Sequence, residues 1–420
     1  MKEAVELNNR GTELLKNKQY DAAIELFRRA LTLRADFPEA LDNLGLALDA
    51  KGQDDEAVAD YTQAIKLAPN DAIIHSNLGL ALYHEHKYNE SIASYREGIA
   101  IHNDFPEAWN GMGAALFGAG KTDEAVAAYR KALELRPDYL DATNNLGAAL
   151  DAQQKWDEAL PLLSRALDRK PDSPDILQNY GRALQQAGRT DEAIAAYRKM
   201  VALSPNDATA WAHLGNLLYT QRQYVEAVSS FQKSLDLKHD QADVLLELAL
   251  AYHDQGKIAE AIQTYEMGLA LKPDDLHGLY NLGNAYYERG DFGKALASYQ
   301  KALDLKPDFP EALASVGAVQ ISEGKLDDAF ATFQKLIAQR PDDPEARFSL
   351  GNALFNKGQY RPAADSYREA IRLKPDHARA HYNLGMALLR LKDEKSAQAE
   401  FDEAHRLDPT LPAPKGSSNK

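Results

Sequence analysis

Cysteine is absent from all 420 residues. That excludes disulfides, thiolate-bound metals, iron–sulfur clusters and a cysteine nucleophile. Long apolar runs are missing as well, and no window approaches the roughly 18 consecutive apolar residues of a membrane-spanning helix. The opening MKEAVELNNRGTELL carries acids and asparagines where a signal peptide has an apolar core. Positive charge is the minority: 48 Lys and Arg against 63 Asp and Glu leave −15 at pH 7. An acidic chain is poorly matched to a phosphate backbone. These absences point to a cytoplasmic protein with no nucleic-acid partner and no membrane insertion.

What is present is a repeat. Gly11, Gly45, Gly79, Gly113, Gly147, Gly181 and Gly215 stand 34 residues apart, and the register continues through Ala249 to Gly283, Gly317, Gly351 and Gly385. With this glycine as the eighth residue of a unit, twelve units begin at 4, 38, 72, 106, 140, 174, 208, 242, 276, 310, 344 and 378 and fill residues 4–411. A strict period replaces the several domains that this length would otherwise suggest with one solenoid. Residues 412–420 read as a disordered tail.

Each unit reads as two helices. Position twenty is small (Ala23, Ala57, Ser91 and their equivalents), and position twenty-four is aromatic except at Leu163. That spacing puts both on one helical face. Small residues at positions eight and twenty let the two helices approach, and the ring fills the space beside them. A break between the helices is usually Gly-Lys or Gly-Gln, and Pro-Asp or Pro-Asn usually closes the unit. Pro161 falls inside the second helix of unit five and is expected to weaken or bend it.

This pattern resembles the tetratricopeptide repeat (TPR) family, whose unit is a 34-residue helix–turn–helix. The resemblance implies an all-α fold, a right-handed α-solenoid superhelix of twelve helix-turn-helix units whose first helices line a concave face. Polar residues at the ends, Glu6 and Glu13 in the first unit and Gln398 and His405 in the last, replace residues that are apolar inside the array. They lead to the expectation of a capped, complete solenoid.

On that inner face, position six is asparagine at Asn9, Asn43, Asn77, Asn145, Asn179, Asn281 and Asn383. An amide offers donors and an acceptor to any peptide backbone. The row resembles the asparagine ladder in the TPR superhelix of O-linked N-acetylglucosamine transferase. Aromatics concentrate in the last four units: Tyr280, Tyr287, Phe348, Phe355 and Tyr382, with Asn284 and Asn352 beside them and Asn216 at the same position in an earlier unit. Rings in a concave site are plausible anchors, which makes the C-terminal third the expected binding region. Acids outnumber bases thirteen to four across the groove positions, so basic or neutral extended segments are the expected partners. Lysines are missing at position five, before Asn216, Asn284 and Asn352, which argues against the mode that clamps a chaperone's C-terminal carboxylate.

Chemistry is not evident. His377 and His381 have i, i+4 spacing but no third ligand, no phosphate loop occurs, and a repeat smears carboxylates along a surface instead of converging them. The reading is a non-enzymatic scaffold without cofactor or metal. Two alternatives stand beside it: the substrate-recruiting array of a glycosyltransferase or other enzyme complex, and a scaffold that self-associates.

Overall fold

The computed structural model describes residues 1–412; residues 413–420, most of the expected tail, lie outside the described residues. Twenty-four helices are present among the described residues, in two compact units, Met1–Asn206 and Asp207–Lys420. The division falls between the sixth and seventh repeats. The first unit runs from α1 (Lys2–Lys16) to α12 (Thr190–Leu203), and the second from α13 (Ala208–Thr220) to α24 (Glu394–Leu407). No helix among the described residues is long and apolar enough to cross a membrane.

Local chemistry sets the helix ends. Proline opens the helices that begin at Pro38, Pro106, Pro174, Pro310 and Pro344, where its missing N–H costs nothing and its fixed φ suits the first turn. At some first helices without proline, aspartate caps: Asp207 accepts from the Ala210 N–H at 3.0 Å and Asp275 from the Gly278 N–H at 2.8 Å. Between paired helices the chain turns through one left-handed residue at position fifteen. Glycine fills it at Gly52, Gly120, Gly188, Gly256, Gly290, Gly324 and Gly358, but Lys18, His86, Gln154, Arg222 and Lys392 adopt it too, with φ between 58° and 66°. A side chain there costs roughly 1–2 kcal/mol. Arg222→Gly is therefore expected to raise stability by up to about 1 kcal/mol, after the added freedom of the unfolded glycine is subtracted. An unchanged or lower urea midpoint would contradict this.

In every repeat except the fifth, where Leu163 replaces the ring, and the eighth, where Ala249 replaces the glycine, the second helix lays its position-twenty-four ring across the glycine of the first. A methyl at Gly45 would stand 2.6 Å from Tyr61, and one at Gly215 2.6 Å from Phe231. Ala249 shows that the pairing can open enough for one methyl, because Ala249 and Tyr265 are both fully buried. Ser91 replaces the small apolar residue at position twenty and keeps its hydroxyl satisfied by donating to the Gly79 carbonyl at 2.6 Å. In the first unit the core is built on Phe27, Tyr61, Tyr95, Tyr129, Leu163 and Tyr197; in the second it is built on Phe231, Tyr265, Tyr299, Phe333 and Tyr367. Each such side chain contributes about 1.5–3 kcal/mol by leaving water.

Pro161 does not break its helix. Helix α10 (Trp156–Arg169) runs through it. The proline lies early in the helix and points to solvent, so it removes one backbone bond without placing its ring in the core. Glu6, Glu13, Gln398 and His405 are all exposed.

Candidate functional site

The first helices of each unit present positions five, six, nine, twelve and thirteen on one face. In the second unit these positions enclose a cavity of about 440 Å³ among repeats nine to twelve, lined by Tyr287, Ala318, Ile321, Ser322, Asn352, Phe355, Asn356, Tyr367, Tyr382, Asn383 and Met386. None of the eleven carries a charge. Five of the fifteen residues expected from sequence to bind peptide meet here: Tyr287, Asn352, Phe355, Tyr382 and Asn383.

Two rings form its walls, and each is backed by a ring from the following helix. Tyr287 packs against Phe292 with centroids 5.5 Å apart, and Phe355 against Tyr360 at 5.3 Å. The Tyr287 hydroxyl also lies 3.3 Å from Ser322 Oγ. Tyr382 leans on Phe401, which fixes the far side. Such support holds the cavity open without a ligand and lowers the ordering cost of binding.

Two aromatics of the same expected group turn away from it. Tyr280 packs between Tyr299 and Phe309, with centroids 5.8 and 5.2 Å away, and Phe348 packs on Tyr367 and His377 at 5.9 and 4.9 Å. They sit at position five, above the ring of their own repeat, and are spent on internal packing. Tyr382 shares position five, yet it borders the cavity. Trp109 and Trp156 are half-buried with their indole N–H groups bonded to the Asn103 carbonyl and to Asp151.

The asparagine row is engaged with its neighbours. Asn43 donates to Asn8 at 3.1 Å, Asn77 to Asp42 at 2.9 Å, Asn145 to Asn110 at 3.0 Å and Asn179 to Asn144 at 2.9 Å. Each of these four position-six amides reaches back to position five of the preceding repeat, so this part of the row stitches repeats together and has one donor fewer for a ligand. In the cavity Asn383 donates to Asn352 Oδ1 at 2.8 Å, and the Tyr367 hydroxyl donates to the same oxygen at 2.8 Å. Asn284 likewise accepts from Tyr299 at 2.7 Å, while Asn216 bonds Glu247. Asn9 is exposed in repeat one and Asn281 half-buried in repeat nine; neither borders the cavity. Sequence reasoning missed the position-five acceptors Asn8, Asn110 and Asn144; at Asn8 and Asn144 the signal was a second asparagine beside the first, whereas Asn110 stands next to Gly111 and carries no such signal.

The acids of the groove divide in the same way. Glu107 pairs with Arg136 at 2.6 Å, Asp243 with Lys272 at 2.9 Å and buried Asp151 with Arg182 at 2.8 Å. Glu107 and Asp243, both at position two, reach the basic end of their own repeat's second helix. Asp42 behaves differently: burial pushes its carboxyl up to about 6, against the bond from Asn77. A carboxyl raised in the fold stabilises it below the ordinary aspartate range near pH 4, and this contribution is lost as the pH climbs through about 6. Asp42→Asn keeps an acceptor for Asn77. It is expected to stabilise the protein by around 2 kcal/mol at pH 7 and by nothing near pH 4; parallel urea titrations at the two pH values measure the difference.

Histidines 377 and 381, close in sequence, have separate partners. His377 Nδ1 caps its helix by accepting from the Ala380 N–H at 3.3 Å, whereas His381 meets Glu400 at 2.6 Å and the Pro375 carbonyl at 3.1 Å.

Paired helices in strict 34-residue register, each closed by a small residue under a ring, define a helical-repeat solenoid protein. The chain belongs to the tetratricopeptide repeat family. Tetratricopeptide repeat models match residues 4–37, 280–344 and 348–412, and a TPR repeat model matches 48–86. Residues 92–308, roughly half of the chain, belong to the TPR family described as the cilia and flagella-associated protein 70 C-terminal domain. No curated protein matches the chain. Among solved structures, the APC/C hetero-tetramer Cut9-Hcn1 is similar at 15% identity, covering 97% of this chain and 94% of that one with a TM-score of 0.47. MamA 41-end from Desulfovibrio magneticus RS-1 shares 24% identity over 41% of this chain and 97% of its own, with a TM-score of 0.38. YrrB, described as a TPR protein with an unusual peptide-binding site, shares 23% over 43% and 93%, with a TM-score of 0.36. These likenesses concern the fold alone.

Proposed function

We propose that the chain is a non-enzymatic interaction scaffold whose principal site is the cavity of the second unit, and that it takes an extended neutral or basic peptide segment. The observation that carries this reading is an uncharged cavity of about 440 Å³ walled by two buttressed rings, Tyr287 and Phe355. An aromatic or branched apolar side chain of the segment enters between them, because an uncharged lining gives a buried charge no partner. The segment's backbone pairs with the amide groups left over by internal bonding, Asn352 Nδ2 and Asn383 Oδ1, and with exposed Asn356. Groove acids beyond the cavity, such as Glu288 and Glu311, favour neutral or basic flanks over acidic ones.

Selection of random peptides on the full-length protein tests the reading. Enriched sequences are expected to share one aromatic or branched residue within a neutral or basic stretch, and to lose binding to a Phe355→Ala protein. Enrichment of acidic motifs, or equal recovery on that variant, would place recognition elsewhere.

A further inference from the structure

The junction between the end of a first helix and the start of its partner is a slot for two side chains in contact, at positions twelve and seventeen. Four repeats fill it with paired rings: Tyr83 with Tyr88, Tyr219 with Tyr224, Tyr287 with Phe292 and Phe355 with Tyr360, at centroid separations of 5.8, 5.5, 5.5 and 5.3 Å. Repeat two places two carboxylates in the same slot. Asp49 ends α3 (Pro38–Asp49) and Asp54 begins α4 (Asp54–Leu67). Stacked rings attract; two carboxylates held face to face repel unless a cation or a proton sits between them.

A third donor arrives from the next repeat. His84, the last residue of α5 (Ala72–His84), brings Nδ1 within 2.9 Å of Asp49 Oδ1. One oxygen from each aspartate and one ring nitrogen of His84 all lie within 4.8 Å of one another. The Asp49 side chain is only 12% exposed. Asp54 Oδ1 is shut off from solvent and accepts no hydrogen bond. An oxygen in that state is costly unless a bound cation, or a proton shared with Asp49, satisfies it. The lysines nearest in sequence are committed, Lys51 to Asp21 and Lys87 to Glu85. Among the described residues no lysine or arginine pairs with Asp49 or Asp54.

We propose that Asp49, Asp54 and His84 form a binding site for a divalent first-row transition metal of the zinc or manganese class. One imidazole and two carboxylates supply borderline and hard donors, a set that suits Zn²⁺ or Mn²⁺ better than the all-oxygen shell preferred by Ca²⁺. Three protein ligands leave at least one position for water. Because the ligands come from three helices of two repeats, the ion ties repeat two to repeat three and cancels the repulsion in the slot. This site lies in the first unit and is independent of the peptide cavity.

The test titrates Zn²⁺, and separately Mn²⁺, into metal-stripped full-length protein by calorimetry, beside Asp54→Asn and His84→Ala variants whose folding is verified by circular dichroism. One saturable site per chain is expected, weakened at least tenfold in either variant, with a thermal midpoint that rises on metal addition only when all three ligands are present. Co²⁺ provides a second readout, since visible absorption bands should form in the parent protein and fade in both variants. Three results would overturn the proposal: no saturable uptake, uptake retained in the variants, or an Asp54→Asn protein stabilised in metal-free buffer while the parent binds no metal, which would mean that the carboxylates share a proton instead.

Discussion

Replacing Tyr287 and Phe355 together with alanine is expected to weaken binding of a selected peptide by at least about 100-fold, since buried aromatic anchors cost about 2 kcal/mol or more each and such losses do not simply add. The rings are well placed for this. Tyr287 is 37% exposed and Phe355 half-buried, so both are ordered yet reachable. Their supports, Phe292 and Tyr360, remain after truncation, and the Tyr367 core beneath them is untouched. The variant should therefore keep its helical content and thermal midpoint nearly unchanged while its affinity collapses. Asn9→Ala, in the other unit, serves as the control and should leave affinity as it is. If the double variant binds peptide as tightly as the parent, the cavity is not the site.

The second large effect is on stability. Gly351→Val is expected to destabilise repeat eleven by about 3 kcal/mol or more, because the added methyls enter a contact that is already full. The Cβ alone would stand 2.5 Å from the Tyr367 ring, which cannot move without losing its bond to Asn352. Gly293 is the counter-case. It lies in the first turn of α18 (Phe292–Leu305), with nothing within 4 Å of an added Cβ. Gly293→Ala should stabilise by up to about 1 kcal/mol through helix propensity alone. Because repeats can unfold locally, hydrogen exchange resolved along the chain is the appropriate measurement. The valine should accelerate exchange around residues 344–373, and the alanine should slow it around 292–305. Equal behaviour of the two variants would show that the glycine register does not control packing.

How far the site could be read in advance depended on whether a residue's role is set within its own repeat. The clustering was legible: aromatics gather in the last units, and Tyr287, Phe355, Tyr382, Asn352 and Asn383 line one cavity, the proposed site. The division between Phe355 and Phe348 was not legible, because both are aromatic and both lie on the same helix face. Position twelve opens on the cavity at Tyr287 and Phe355, whereas at Tyr280 and Phe348 position five is covered by a ring beneath and a neighbour beside it; in the last repeat Tyr382, at that same position, faces the cavity. The asparagine row was visible as a row, yet its bonds cross from one repeat to the next, and a period of 34 does not say which neighbour an amide will find. The junction of Asp49, Asp54 and His84 was hidden for the same reason, since three ordinary helix-end residues meet only when two repeats stack.

What the sequence determined by itself was the local grammar. Helix lengths, the break at position fifteen, the proline and aspartate starts, and the small residue under a ring all follow from backbone sterics and from packing between helices that are adjacent in the chain. Even the five side chains in the left-handed turn obey the register that their glycine counterparts announce. Tertiary structure alone decided which polar and aromatic groups remain available. That outcome depends on contacts between repeats, where each amide, carboxylate or ring is either consumed by a neighbour or left facing solvent, and no single unit contains that information.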